Sequence, residues 1–220
     1  MIDKDNVKTL FFDYDGTLHN TTEIYIPAFK TVYDYLVKHH GAEEKTWQDQ
    51  DIARFLGQTP KEMWDQFGLN LTQKAKEKGL KMLSDKLEKA IQNKEAKLYD
   101  GALDVLDYLK KQGYKLVFIS NCKNYYLEAH KALFNLDQYF DIMVCSETFK
   151  NVQAKHKVLA KVLSEVPKEA VIIGDRHHDM TAGKKNGIYT IGARYGFGDH
   201  EELKTADMQI DDIKTLKHLF

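Results

Sequence analysis

The sequence predicts an α/β protein with a doubly wound, Rossmann-like parallel-sheet core and an inserted α-helical domain. Short apolar runs recur along the chain, and helical patterns separate them from residue 98 onward. The runs are continuous rather than alternating in polarity, which is typical of strands covered on both faces of a parallel sheet. Regular alternation of such strands with helices is the pattern of α/β proteins.

The predicted strands are five short segments rich in β-branched and aromatic residues. They are residues 7–12, 115–120, 142–145, 170–174 and 189–191. Helical patterns lie between them at residues 102–109, 158–163 and 179–186, and glycine or proline follows each pattern. Because both residue types commonly mark the end of a helix, these patterns indicate three helices of the core.

The segment from residue 21 to residue 97 interrupts this alternation. It shows helical periodicity only, with apolar stripes at residues 26–36 and 80–91 among many lysines, glutamates and glutamines. A connection of roughly 75 residues between the first two strands is too long for a simple crossover. We therefore expect two domains: an α/β core formed by residues 1–20 and 98–220, and a helical cap formed by residues 21–97.

The composition excludes several classes of protein. The chain has 220 residues, of which 43% are hydrophobic and 30% charged, so it can bury a large core. A net charge of −1 argues against a surface that coats nucleic acid. No apolar run approaches the roughly 20 residues that span a bilayer. With two cysteines and no recognisable signal peptide, we expect a cytoplasmic protein, either a monomer or a homodimer.

The most distinctive motif follows the first predicted strand, where Asp13 and Asp15 are separated by one residue. Both side chains point the same way if the strand stays extended. Two adjacent carboxylates are costly unless they share a cation or a proton. An acid that closes a strand before an Asp-Gly turn is the simpler alternative. A calcium-binding EF-hand loop is excluded, because Leu18 stands where such a loop requires glycine.

Three further candidates lie at the ends of other predicted strands or in the loops that follow them, and Lys155 lies just before a predicted helix. They are Asp175 with Asp179, Ser120 with Asn121, and Lys155. Each also has a simpler interpretation, respectively a helix N-cap with a loop acid, a common turn, and a solvated charge. Since a parallel sheet gathers the carboxyl ends of its strands at one edge, the set becomes meaningful together. Four repelling carboxylates there favour a hard cation, in particular Mg²⁺, which leaves positions open for phosphate oxygens.

Four motifs in this order resemble those of the haloacid dehalogenase superfamily: DYDGTL, ISN, the lysine before a helix and GDRHHD. The resemblance covers about residues 7–20 and 98–198. The helical insert is similar in position to the cap of the capped phosphatase branch. Residues 182–188 and 195–198 look most like the phosphoglycolate phosphatase-like subgroup.

The resemblance implies a role for each matching residue. Asp13 would be the nucleophile that forms an aspartyl-phosphate, and Asp15 would be the general acid and base. Ser120, Asn121 and Lys155 would hold the phosphoryl group.

The resemblance also implies a bound Mg²⁺. Its ligands would be the carboxylates of Asp13 and Asp175 and the backbone carbonyl of Asp15. Asp179 would support the ion directly or through water.

Two departures from the family pattern affect these assignments. The third motif lacks the usual Lys-Pro pair, so Lys150 and Lys157 are alternatives to Lys155. His19 and Asn20 replace the apolar and acidic residues that usually follow the first motif. His19 is interpreted either as a hinge residue or as a substrate contact.

The function implied is a Mg²⁺-dependent phosphatase that acts on small phosphorylated metabolites, such as phosphoglycolate-like acids or sugar phosphates. The turn at residues 57–61 is the predicted substrate-reading segment, with Gln58 and Lys61 as contacts; a solvated turn is the alternative. A sugar phosphomutase has the same motifs, and a phospho-accepting receiver collects similar residues in a shorter chain. Asp15 argues against dehalogenation, because true dehalogenases of this superfamily lack the second aspartate.

Overall fold

The chain forms two compact units. The structure, a computed structural model, describes residues 6–58, 60–67, 71–152 and 154–220, with side chains except at residues 60–62 and 66. The first unit comprises the described part of Met1–Asn20 together with Leu98–Phe220, and the second comprises Thr21–Lys97. Within these described residues, every helix is too short or too polar to cross a membrane.

The described part of the first unit contains one parallel sheet. Its spatial order is β3-β2-β1-β4-β5-β6, with every neighbouring pair parallel. The strands are β1 (Thr9–Phe12), β2 (Lys115–Ile119), β3 (Ile142–Val144), β4 (Ala170–Gly174), β5 (Tyr189–Ala193) and β6 (Met208–Ile210). This sheet confirms the predicted fold class.

Helices make up the second unit. They are α1 (Thr22–His40), α2 (Asp49–Ala53), α3 (Pro60–Phe67) and α4 (Gln73–Gln92). Aromatic rings fill its interior, and the ring of Phe29 lies 5.5 Å from those of Trp47 and Phe55. Such ring pairs stabilise a small core beyond the effect of buried area alone.

The first unit also contains helices, several of them against the sheet. They are α5 (Ala102–Lys111), α6 (Asn124–Phe134), α7 (Lys155–Leu163), α8 (His177–Asn186), α9 (His200–Leu203) and α10 (Leu216–Leu219). The side chains of β1 and β4 are all buried, as expected for the central strands of a sheet with helices on both faces.

The sequence did not predict β6 or α6. Met208 and Gln209 of β6 are only half-buried, because this strand lies at the sheet edge, and its sequence lacks a continuous apolar run. The inner face of α6 carries Tyr126, Leu127 and His130 rather than aliphatic residues throughout. Hydrophobic periodicity is therefore weak in both elements.

Gly183 is predicted to be required for the packing of α8, although alanine usually stabilises a helix by about 1 kcal/mol relative to glycine. A Cβ at Gly183 would lie 2.2 Å from Thr190 Cγ2 and 2.8 Å from Ile172 Cγ2. We expect Gly183→Ala to lower the free energy of unfolding by about 1–3 kcal/mol. Gly79→Ala in α4 is the control, because the nearest atom there is 3.4 Å away. Equal effects of the two substitutions on the melting temperature would contradict the predicted role of Gly183.

Candidate active site

The functional candidates of the core meet where strands of the sheet end. Asp13 follows β1, Ser120 follows β2, and Asp175 follows β4. Carboxylate oxygens of Asp13, Asp175 and Asp179 lie within 4.8 Å of one another, and all three residues are buried. Parallel strand order therefore brings together acids that are more than 160 positions apart in the sequence.

Backbone geometry brings the first motif close to Asp175. The Asp13 N–H donates a 2.9 Å hydrogen bond to the Ile173 carbonyl, which continues the β1–β4 ladder past Phe12. The chain then turns at Gly16, whose φ is +80°. A Cβ there would lie 2.0 Å from Asp175 Oδ2, so only glycine permits this approach.

The start of α8 orients the other two acids. Asp179 is fully buried, and its Oδ2 accepts a 3.0 Å hydrogen bond from the Arg176 N–H. Asp175 Oδ2 accepts a 2.7 Å hydrogen bond from the Phe197 N–H. Asp175 Oδ1 is buried and makes no hydrogen bond within the part of the chain that the structure describes. It is the kind of atom that a cation would satisfy.

Lys155 is the lysine that faces the acids. Its Nζ lies 2.6 Å from Asp13 Oδ1 and 2.5 Å from Asp179 Oδ1. It is the first residue of α7 rather than a residue before the helix, a position where the helix dipole disfavours a cation. Lys150 and Lys157, the alternatives from the sequence, are exposed.

The buried charges do not balance among themselves. Burial and the neighbouring Asp179 raise the pKa of Asp13 to about 7, although Lys155 opposes this shift. Burial raises the pKa of Asp175 well above its ordinary range, and repulsion from Asp13 raises it further. Burial would lower the pKa of Lys155, but attraction from Asp13 and Asp179 outweighs it and raises that pKa. The three acids offer oxygen ligands, and one ammonium cannot neutralise them all. This combination fits a hard divalent cation.

Comparison with known proteins identifies the family. Residues 10–193 match the haloacid dehalogenase-like hydrolase family. The chain belongs to this family. The resemblance seen in the four motifs is thereby confirmed.

Individual similar proteins support the family assignment. Pyrophosphatase PpaX of Bacillus cereus (strain B4264) is 27% identical over 216 residues, covering 96% of this chain and 94% of the relative. A predicted phosphatase from Clostridium acetobutylicum is 26% identical with a TM-score of 0.78, covering 97% of both chains. CbbY from Rhodobacter sphaeroides, solved with phosphate, has a TM-score of 0.75 at 22% identity and covers 96% of both chains. The protein is therefore a phosphatase-type hydrolase.

The carboxyl group of Asp15 does not join the other acids in this hydrolase. The expectation that it points with Asp13 required an extended strand, but β1 ends at Phe12 and the chain turns at Gly16. Asp15 Oδ1 instead accepts a 2.8 Å hydrogen bond from the Tyr126 hydroxyl. The predicted cluster of four carboxylates is therefore a cluster of three in the described residues.

His19 also contacts Asp15, and its imidazole is fully buried. His19 Nδ1 lies 3.0 Å from Asp15 Oδ1. Tyr126 and His130, which share the inner face of α6, were not predicted from the sequence. Their spacing of four residues on a helix that follows the Ser120 loop is the signal that could have revealed them.

The remaining candidates are Ser120 and Asn121 in the loop after β2, Gln58 ahead of α3, and Lys61, which lies in α3 rather than in the predicted turn. Ser120 is buried, and its hydroxyl oxygen accepts a 3.1 Å hydrogen bond from the Cys122 N–H; Asn121 is exposed. In the helical unit, Gln58 is half-buried and its backbone N–H donates to the Phe55 carbonyl at 3.3 Å. The Lys61 side chain lies outside the described residues.

We expect the metal-free protein to lose stability as the pH rises from about 4 to about 7. The pKa of Asp13 rises from its ordinary 3.8 to about 7 on folding, so in this window the folded state holds a proton that the unfolded state has released. Stability from this group is complete below the unfolded pKa and disappears above the folded one. Asp175, whose pKa is also raised, adds to this slope. His130 opposes it below its ordinary pKa of 6.5, because burial lowers the folded value to about 3.

Melting temperatures in chelator at about pH 5 and about pH 8 test this expectation. The value should be lower at the higher pH, because two buried acids outweigh one buried imidazole, and Asp13→Asn should reduce the difference. Mg²⁺ should raise the melting temperature more at the higher pH, because a cation competes with protons for the carboxylate oxygens. A wild-type melting temperature that does not fall with pH would contradict the prediction.

Proposed function

We propose that this protein is a Mg²⁺-dependent phosphatase that hydrolyses small phosphorylated metabolites through an aspartyl-phosphate on Asp13. The observation that carries the proposal is the arrangement of Asp13, which lies at a strand end beside one buried lysine and two further buried acids. Phosphoryl transfer through a covalent intermediate needs a nucleophile on the protein and groups that stabilise the charge of the phosphoryl oxygens, and this arrangement offers both.

The proposed first step begins with attack by a carboxylate oxygen of Asp13 on phosphorus. The bond from phosphorus to the leaving oxygen breaks, and Asp15 gives that oxygen a proton. In the second step Asp15 removes a proton from water, the water oxygen attacks phosphorus, and the bond to Asp13 breaks. Asp15 therefore regains the proton that it lost.

Mg²⁺ would be held by the carboxylates of Asp13, Asp175 and Asp179 and by the backbone carbonyl of Asp15. When bound, the ion would draw negative charge from the phosphoryl oxygens and reduce their repulsion of the nucleophile. Asp175 Oδ1, a buried oxygen without a hydrogen bond in the described residues, supports this ligand set.

The phosphoryl group itself would be held by Lys155, Ser120 and Asn121. The Lys155 ammonium already lies 2.6 Å from the proposed nucleophile, where negative charge develops during transfer. Ser120 can donate its hydroxyl proton while its oxygen accepts from Cys122. Asn121 lies in the same loop and is exposed, so its amide is accessible to a ligand.

The identity of the leaving group is a separate question. Phosphoglycolate-like acids and sugar phosphates are the proposed substrates, and the name of the Bacillus relatives adds pyrophosphate as a candidate. A sugar phosphomutase would be recognised by an isomerised sugar phosphate formed without release of inorganic phosphate.

Turnover of a generic aryl phosphate tests the mechanism. We expect activity in Mg²⁺, none in excess chelator and none in Ca²⁺, which takes more ligands at longer distances and ties up the Asp13 carboxylate. Asp13→Asn keeps the shape of the side chain but should reduce the rate at least about a hundredfold. Lys155→Met should also lose activity, whereas the exposed Lys157→Met is the matched control. A folded Asp13→Asn variant with a tenth of the wild-type rate, or full activity in chelator, would refute the mechanism.

A substrate panel tests the proposed role of the helical insert. We expect Gln58→Ala and Lys61→Ala to change the relative kcat/KM among phosphoglycolate, sugar phosphates and pyrophosphate, because neutral and cationic donors distinguish these leaving groups. Hydrolysis of an aryl phosphate should barely change. An unchanged substrate order in both variants would show that this segment does not recognise the substrate.

A further inference from the structure

A buried group of polar rings lies next to the carboxyl group of Asp15. We name it the Asp15 ring cluster; its members are Tyr14, His19, Tyr126 and His130. Tyr126 is 6% exposed, and the other three rings are fully buried. None of these four side chains is assigned to binding the metal or the phosphoryl group in the proposed function.

Two members of the cluster contact the same oxygen of Asp15. The Tyr126 hydroxyl donates to Oδ1 at 2.8 Å, and His19 Nδ1 lies 3.0 Å from that atom. The Tyr126 hydroxyl also lies 3.3 Å from His19 Nδ1. Since a carboxylate only accepts hydrogen bonds, the imidazole proton in this pair belongs on Nδ1. Two donors that converge on one oxygen restrict rotation of the carboxyl group.

The remaining members hold the His19 ring. The Tyr14 ring stacks on it at 5.2 Å with an interplanar angle of 15°, and His130 meets it edge-on at 4.5 Å. Tyr14 is fixed in turn by a 2.6 Å hydrogen bond between its hydroxyl and His130 Nδ1. The imidazole of His19 is thus enclosed by rings that are themselves fixed.

The tight turn after β1 brings His19 to this position. The N–H groups of Leu18 and His19 both donate to the Tyr14 carbonyl, and the Gly16 N–H donates to the His19 carbonyl. These bonds place residues 15 and 19 side by side as an isolated parallel bridge. The position next to Asp15 therefore follows from the backbone, and histidine supplies a donor there.

Apolar packing alone would not call for these residue types. Burying two imidazoles and two phenols removes polar atoms from water, which costs free energy unless they form hydrogen bonds. Here Tyr14 and His130 hydrogen-bond to each other, and the bonds from Tyr126 and His19 converge on a carboxyl group that keeps 23% of its side chain exposed. A polar cluster directed at one partly exposed carboxyl is the arrangement expected of groups that orient a reacting acid.

We propose that His19 and Tyr126 are positioning residues that hold the Asp15 carboxyl in the orientation needed for proton transfer to the leaving oxygen. The proposal rests on the proposed function, in which Asp15 is the general acid. In that step the proton passes from Asp15 to the leaving oxygen as its bond to phosphorus breaks. His19 and Tyr126 keep their protons throughout.

Dependence on the leaving group follows from this role. An alkoxide is a poor leaving group and needs the proton as the bond breaks, whereas a nitrophenolate leaves without one. Loss of orientation should therefore affect alkyl phosphates much more than aryl phosphates. The parameter kcat/KM is the appropriate one, because it reports the steps up to departure of the leaving group.

The experiment compares kcat/KM for an alkyl phosphate and for p-nitrophenyl phosphate, with Mg²⁺, in the wild type and five variants, one of which is Asp15→Asn. We expect His19→Leu and Tyr126→Phe to lose roughly tenfold or more on the alkyl ester and less than about threefold on the aryl ester. His19→Asn should recover most of the alkyl activity, because its amide nitrogen can replace Nδ1 as a donor. The control is Tyr125→Phe, which removes a hydroxyl from the adjacent, 37% exposed residue of α6 and should change neither value.

Three outcomes distinguish failure of the inference from failure of the proposed function. A wild-type protein without activity on either ester would refute the proposed function. If the wild type is active and Asp15→Asn loses the alkyl ester, but His19→Leu and Tyr126→Phe affect both esters equally, the positioning role is refuted. Failure of His19→Asn to recover activity while Mg²⁺ still raises the melting temperature would also refute it, because the imidazole would then act in another way.

Discussion

Excess negative charge buried at one edge of the sheet is the constraint on which the rest of the site depends. Three carboxylates face one ammonium there, and burial raises the pKa values of Asp13 and Asp175. The chain makes room for these groups with backbone rather than with side chains. A Cβ at Gly174 would lie 2.2 Å from Asp179 Cγ, and one at Gly196 would lie 2.3 Å from Asp175 Cβ. Because glycine has no Cβ at these positions, the acids can lie close together despite their repulsion.

The sequence was sufficient for the fold because the central strands of a parallel sheet are buried on both faces and therefore read as continuous apolar runs. The same physics explains what it missed. The edge strand β6 is covered less completely, so its sequence carries little signal. Helix α6 buries tyrosine and histidine on its inner face, and a periodicity defined by aliphatic residues does not detect it.

The location of the candidate site was predictable for a topological reason, because strand ends determine where Asp13, Ser120 and Asp175 lie. Side-chain direction was not. Lys155 and Lys157 lie two residues apart at a helix start, and only the packing of α7 shows that the first faces Asp13. The orientation of Asp15 depends on Tyr126, which lies 111 positions away on a helix that the sequence did not reveal.

Asp13 and Asp15 are two residues apart, yet their surroundings differ in kind. Asp13 is buried, contacts an ammonium and lies among other acids, so charged groups are its neighbours. Asp15 contacts a phenol and an imidazole. The neighbouring His130 stays neutral, because burial together with repulsion from His19 lowers its pKa to about 3. A carboxylate held among full charges suits the proposed nucleophilic attack on a phosphoryl group, and one held by two hydrogen-bond donors suits the proposed transfer of a proton. The turn at Gly16 separates these two environments, and it therefore allows one short motif to supply both of the proposed chemical roles.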